Sequence, residues 1–258
     1  MKGMFHDAKS FNKPINRWDV NSVTNMDYMF LNAKMFNQPI ESWNTSQVTT
    51  MKGMFKVTNH HLNFNQPLGN WDTSRVTNMY EMFGSNINFN GDVSTWNTSQ
   101  VTTMLAMFAY AYVFNQSVGS WDTSKVTNMY WMFGGAKNFN QPIGTIGAHW
   151  DTSKVTDMSY MFYGASSFNR NLSNWDTSIV TSMSSMFFNA SSFAGDILGW
   201  TGSATESAQV DMLFGASQFH RKYICSDTVR GPLSACVARV KLTDETFFDA
   251  RTSCLEEE

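Results

Sequence analysis

Few side chains in this sequence could catalyse a reaction or bind a metal, and their spacing matches none of the common motifs. The sequence has no His-Glu-x-x-His, no phosphate-binding glycine loop and no nucleophile elbow. Its histidines are far apart in the sequence, so we expect them to lie in solvated loops and not to form a metal site. We therefore predict a protein that is not an enzyme, with no catalytic residue, no metal and no cofactor. The histidines are His6, His60, His61, His149 and His220.

The cysteines leave two interpretations open. All three lie near the C-terminus, at Cys225, Cys236 and Cys254. Three thiolates are too few for a tetrahedral zinc site without a fourth ligand, and no Cys-x-x-Cys is present. One disulfide, most simply Cys225–Cys236, would suit a small terminal cap in an oxidising compartment. The other interpretation is that all three cysteines are reduced.

A repeat of about 25 residues organises most of the chain. The motif Met-x-x-Met-Phe recurs at steps of 25 residues, with two longer steps of 28 and 29 residues. A weaker ninth copy begins near Gln209. A fixed period in this range is typical of a solenoid, in which equivalent residues form columns. The eight clear copies, which we number from first to eighth, begin at Met1, Met26, Met51, Met79, Met104, Met129, Met158 and Met183.

Eight apolar positions in each repeat predict its local structure. The first four are spaced like one face of a short helix, and the Val-Thr pair near the end favours a short strand. We expect an α/β solenoid, leucine-rich-repeat-like, of about nine coils with a short helix and short parallel strands. It would span residues 1–223, with a C-terminal cap or tail over 224–258. In the seventh repeat the apolar positions are Met158, Met161, Phe162, Ala165, Phe168, Leu172, Trp175 and Val180.

Two polar positions also recur. An Asn after the second Phe of the repeat is expected to be buried and to bond backbone groups of its own turn and of the next repeat. An Asp or Asn after the Trp is expected to cap the following Thr-Ser turn, because stacked carboxylates would otherwise repel one another. The Asn column comprises Asn12, Asn37, Asn65, Asn90, Asn115, Asn140 and Asn169.

The motif itself resembles a known family. Residues 121–129 read Trp-Asp-Thr-Ser-Lys-Val-Thr-Asn-Met, and residues 161–169 read Met-Phe-Tyr-Gly-Ala-Ser-Ser-Phe-Asn. Both resemble the BspA-like leucine-rich-repeat surface proteins, in the Trp-Asp-Thr-Ser variant known as an uncharacterised mycoplasma repeat. The resemblance implies a leucine-rich-repeat-like solenoid with an adhesion or interaction role at a cell surface. It carries no shared catalytic residues.

Function is then expected at the positions that vary between repeats. Residues one, two, five and six after the first Met should face outward, and in neighbouring repeats they are aromatic. Such a group suggests a contact site for a protein or a glycan. The alternative is lateral packing that leaves the rings mostly covered. The candidate binding residues are Tyr110, Tyr130, Trp131, Tyr160 and Tyr163.

Two other functions compete with recognition. Regular Thr columns, one through Thr49 and Thr102 and one through Thr45 and Thr98, suggest an ice-binding surface, although turn and strand roles also explain them. The chain is alternatively a structural subunit of a larger assembly. A net charge of −3 gives no reason to expect nucleic acid, and no apolar run suits a transmembrane segment. No signal peptide precedes the first motif, and the family resemblance favours an extracellular or cell-surface location.

Overall fold

The computed structural model describes residues 1–58, 64–144, 149–200, 204, 206–226 and 236–238. His60, His61, Cys254 and most of the predicted tail lie outside these residues. Within these residues, the regular elements lie near the C-terminus. They are a 3₁₀ helix at Glu206–Gln209, helix α1 at Ser217–Lys222, strand β1 at Tyr223–Cys225 and strand β2 at Cys236–Ala238.

Successive repeats are hydrogen-bonded to one another in register. Asn25 forms a parallel bridge with Thr50, and Thr50 forms the next with Asn78. The series continues at one bridge per repeat as far as Ser182. The predicted parallel strands are therefore reduced to single bridges, because each repeat turns away immediately after its Val-Thr pair. Neighbouring repeats nevertheless lie side by side in chain order.

Each repeat begins with a run of tight turns, which we call the turn segment (residues 26–33 in the second repeat). The N–H groups of Met29 and Leu31 donate to carbonyls three residues back, at 3.2 and 3.1 Å. Those of Tyr28 and Phe30 donate instead to carbonyls of the third repeat, at 2.7 and 2.9 Å. An α-helix would keep both sets within one segment. The prediction of a helix is thus wrong for the described turn segments. Successive turns also place every third or fourth side chain on one side, so they produce the same spacing of apolar residues as a helix.

The run of turns is formed by residues whose backbone is in the left-handed region. In most repeats, the residues two and six after the first Met have φ between 51° and 75°. Glycine occupies five of these places, and the others carry a Cβ that the left-handed region disfavours by about 1–2 kcal/mol. The four largest side chains held this way are those of Tyr28, Tyr110, Trp131 and Tyr160.

The predicted core positions are confirmed. All eight apolar positions of the seventh repeat are buried, and the apolar residues at these positions in repeats two to eight are also buried, except Trp200 of the eighth repeat, which is half-buried. Phe162 stacks on Phe168 within its repeat, at 4.0 Å between ring centroids, and on Phe187 of the next repeat at 5.5 Å. The column tryptophans also bond between repeats: the indole N–H of Trp121 donates to the Val93 carbonyl at 3.1 Å. Each such tryptophan therefore contributes a buried apolar ring and also a hydrogen bond between repeats.

The repeated polar residues join neighbouring repeats and close turns. The Asn37 N–H donates to Oδ1 of Asn12 at 3.0 Å, and the same bond recurs along the column. These asparagines are half-buried or exposed, which corrects the expectation that they are buried. Oδ1 of Asp122 accepts the Ser124 N–H at 2.9 Å, and Asn97 makes the equivalent bond. The predicted turn cap is present in both chemical forms.

The ninth copy continues the stack into the C-terminal elements. Met212, Leu213, Ala216 and Phe219 are buried, and the Phe187 N–H donates to the Met212 carbonyl at 2.8 Å. Strands β1 and β2 pair antiparallel, and the disulfide Cys225–Cys236 joins them. Among the described residues, no helix has the length and apolar character needed to cross a membrane.

Candidate functional site

The five candidate binding residues lie together on the turn segments of the fifth, sixth and seventh repeats. We call this set (Tyr110, Tyr130, Trp131, Tyr160 and Tyr163) the aromatic patch. Trp131 stacks on Tyr160 with ring centroids 4.7 Å apart and an interplanar angle of 10°. Tyr110, Tyr130 and Tyr163 each lie within 5.5–5.8 Å of the Trp131 ring. The turn segments therefore place residues from three repeats around one indole.

Every ring of the patch is partly buried. The alternative of lateral packing therefore accounts for part of their surface but not all of it. Stacking continues beyond the patch, from Tyr163 to Phe188 and from Phe188 to Phe214, at 4.9 Å in both cases. The distance between these outward rings is close to the distance between neighbouring strands of a sheet, because each ring comes from the next repeat. The result is a pre-ordered surface in which each ring restricts its neighbours.

The position of the Trp131 indole depends on a neighbouring glycine. A Cβ at Gly134 would lie 2.1 Å from Cδ1 of Trp131, so only glycine permits the ring to lie where it does. A Cβ at Gly135 would similarly meet the Tyr110 ring at 2.6 Å. Nε1 of Trp131 is buried there, without a hydrogen-bond partner among the described residues. Trp131 thus lies outside the tryptophan column, whose indoles donate to the preceding repeat.

A groove of about 420 Å³ adjoins the patch and extends from the third to the sixth repeat. Tyr110, Tyr130 and Trp131 form one wall of this groove. Small residues also line it, among them Ala106 and Ala109 of the fifth repeat. Neighbouring repeats carry larger side chains at some of these positions, so a local run of small residues opens the surface. The sequence contains this signal, but the sequence analysis did not use it.

The opposite wall brings charge to the groove. Lys56 and Glu81 form an ion pair of 2.5 Å, and both are partly buried. Beside them, Lys52 lies over the Tyr80 ring, 4.8 Å from its centroid. Burial, followed by the neighbouring Glu81 carboxylate, raises the pKa of Tyr80, so its hydroxyl stays protonated at neutral pH. Lys56, Tyr80 and Glu81 were not among the predicted binding residues, because their meeting depends on contacts across repeats.

Burial has the same effect on two tyrosines of the patch. Burial raises the pKa of Tyr110 and of Tyr130, and other tyrosines nearby add to the effect. Both remain neutral hydroxyls that can donate and accept hydrogen bonds near pH 7. The patch and the groove together therefore combine aromatic faces, neutral hydroxyls and one compensated ion pair.

The two Thr columns have different environments. Thr45, Thr98 and their equivalents are buried, and the Thr45 hydroxyl donates to the Asp72 carbonyl at 2.9 Å. This column cannot present an array to solvent, so it cannot form part of an ice-binding surface. Thr49, Thr102 and their equivalents are exposed. Among the described residues, no group of three or more His, Cys, Asp or Glu side chains could hold a metal ion.

The chain matches a known family. The family model described as mycoplasma protein of unknown function, DUF285, matches three consecutive segments, residues 1–63, 57–147 and 145–228. No curated protein and no solved structure matches the chain. The three segments cover nearly all of the repeats and together far more than half of the sequence. The chain belongs to the mycoplasma protein family of unknown function DUF285.

Proposed function

We propose that this protein is a recognition protein without enzymatic activity, which binds a protein or glycan partner through the aromatic patch and the adjoining groove. The observation that carries the proposal is the stack around Trp131, where five outward aromatic side chains from three repeats form one partly exposed surface. Partly exposed Tyr and Trp clusters are enriched in binding sites, since they bury much area at a small entropic cost.

The proposed architecture supports this role. We propose a leucine-rich-repeat-like solenoid, in which each repeat contacts mainly its neighbours and side chains at one position form a continuous face. The register of the parallel bridges and the aromatic columns agree with such an arrangement. The resemblance to BspA-like surface proteins favours an adhesion-like role at a cell surface or outside the cell. In that setting the Cys225–Cys236 disulfide would be stable.

Capture of partners from the surface fraction of the source organism tests the proposal. The immobilised wild-type chain is compared with a variant carrying Tyr130→Ala, Trp131→Ala and Tyr160→Ala. A matched control carries Arg75→Ala, Lys125→Ala and Lys154→Ala, which alter exposed residues near the Thr column. We expect the control to retain the captured partners and the aromatic variant to lose them. Equal capture by all three proteins would show that the patch is not the site.

Ice binding remains the alternative with a specific observation behind it. The exposed column through Thr49, Thr77 and Thr102 repeats once per repeat, and the Thr49 hydroxyl donates to the Thr24 carbonyl at 3.1 Å. Such regularity is what a lattice of water molecules requires. Charged neighbours, among them Arg75 and Lys125, interrupt this face. Thermal hysteresis and shaped ice crystals would favour this alternative, and their absence would remove it.

A further inference from the structure

We infer that the groove holds one neutral pyranose ring of a glycan, stacked on Trp131 above Ala106. This inference rests on the proposed recognition function and names the ligand class of the same site. It depends on three features of the described residues: an aromatic stack that stops at one repeat, the size of the space beside it, and the polar groups around that space.

The stack stops at the fifth repeat. Two residues after the first Met, consecutive repeats carry Ala106, Trp131 and Tyr160, all with left-handed backbone. One face of Trp131 lies against Tyr160. At the equivalent position the preceding repeat has only the methyl group of Ala106, and its Tyr110 ring is tilted by 43° to the indole at 5.8 Å between centroids, so no ring of that layer stacks on the other face. The groove opens there, lined by Ala106 and Trp131 together.

The space suits one ring. The layers of Glu81 and Trp131 are two repeats apart, which corresponds to roughly 9–10 Å at the usual spacing of neighbouring strands. Trp131 and Tyr160, one repeat apart, have their centroids 4.7 Å apart, so one layer accommodates one ring. A ligand ring above Ala106 would continue this stack. The volume of about 420 Å³ also falls within the range of small-ligand sites, roughly 300–1,000 Å³.

The polar groups around this space favour a sugar. A pyranose has apolar C–H faces that pack on aromatic rings and a rim of hydroxyls that need donors and acceptors. The groove is lined by Lys56 and Glu81 and also by Tyr130, whose side chain carries a hydroxyl. An aromatic side chain of a peptide would cover these groups without bonding them, which costs free energy. Because Lys56 and Glu81 neutralise each other, the site favours an uncharged sugar over an acidic one.

An array of immobilised neutral oligosaccharides tests the inference. The array spans hexoses, deoxyhexoses and N-acetylhexosamines, with a parallel set of peptides that bear an exposed Trp or Tyr. Ala106→Trp fills the space with a ring, at a backbone conformation that Trp131 already tolerates. Trp131→Ala removes the stacking platform. The matched control is Ser185→Trp, at the equivalent position of the eighth repeat and outside the groove.

We expect the wild-type chain to bind at least one neutral oligosaccharide. Ala106→Trp and Trp131→Ala should each weaken that binding at least tenfold, and Ser185→Trp should stay within twofold, with unchanged thermal unfolding as the check on folding. Three results would overturn the inference: no binding to the array, wild-type binding by folded Ala106→Trp, or preferential binding to the aromatic peptides. Each is compatible with partner capture that depends on the patch, so the proposed recognition function is judged separately.

Discussion

At the scale of single residues, the left-handed positions of the turn segments carry two kinds of residue, those that only shape the backbone and those that we propose bind a partner. Glycine occupies some of these places without strain, and Trp131, Tyr160 and Tyr110 occupy others. A bulky residue held in the left-handed region usually persists because surrounding contacts determine it, and such residues cluster at functional sites. The stacking around Trp131 supplies such contacts. The strain at these three residues is consistent with a role in binding.

Ala106 allows this strain to be measured. Ala106 and Ala109 are equally buried in the same turn segment, but only Ala106 has a positive φ, of 52°. We expect Ala106→Gly to raise the free energy of unfolding by about 0.5–1 kcal/mol, because the Cβ strain is relieved. Ala109→Gly should lower it by about 0.5–1 kcal/mol through added flexibility of the unfolded chain. Denaturant titration measures both, and a loss of stability in Ala106→Gly would contradict the left-handed assignment.

At the scale of elements, each repeat is held together by a core column and by capped turns. Trp121 is fully buried, and its ring lies 6.1 Å from both Trp96 and Phe108, measured between centroids. We expect Trp121→Ala to lower the free energy of unfolding by roughly 3–5 kcal/mol, because it leaves a cavity and removes one of the two hydrogen bonds that the Val93 carbonyl accepts. Trp131→Ala, outside the column and partly exposed, should cost far less. Equal losses in the two variants would argue against a framework role for the column.

The capped turns predict a dependence on pH. A hydrogen bond from the Ser124 side chain, then one from its backbone N–H, lowers the pKa of Asp122, with smaller contributions from His149 and Lys125. A carboxyl with a lowered pKa in the folded state stabilises that state above its unfolded pKa of about 3.9. This stabilisation is lost as the pH falls through the lowered value. Asp122 should therefore contribute to acid unfolding.

Asp122→Asn separates the charge from the cap. Asn97 already makes the same bond at the equivalent position, so the variant should match the wild type at pH 7. Below about pH 4 it should lose less stability than the wild type, because its amide does not titrate. Asp122→Ala should be less stable at both pH values. Denaturant titrations at pH 7 and pH 3 test this, and an identical acid loss in Asp122→Asn would contradict it.

At the scale of the whole molecule, the core could be predicted from the sequence and the backbone path could not. A fixed period identifies inward residues such as Phe162 and Trp175 directly, because equivalent positions must pack against one another. The same period cannot distinguish a helix from a run of turns. Spacings of three and four suit both, and the left-handed positions carry residues as different as Gly53, Glu81 and Trp131.

The candidate site was predictable in part for a related reason. The patch residues share outward positions in consecutive repeats, so their grouping could be predicted from the register alone. The groove forms because small residues in one repeat, Ala106 and Ala109, adjoin the large side chains of the sixth repeat. The Lys56–Glu81 pair also depends on the path of the turn segments. The register does not determine contacts of this kind.

The central claim of this account is that the repeated residues form the frame and the variable outward residues bind the partner. A variant with Tyr130→Ser and Trp131→Ser tests it most directly, because Ser184 and Ser185 already occupy these two positions in the eighth repeat. The measurement is the yield of captured partner from the surface fraction, relative to the wild type and alongside thermal unfolding. We predict a folded protein whose capture falls at least tenfold. Undiminished capture by the folded variant would contradict the claim.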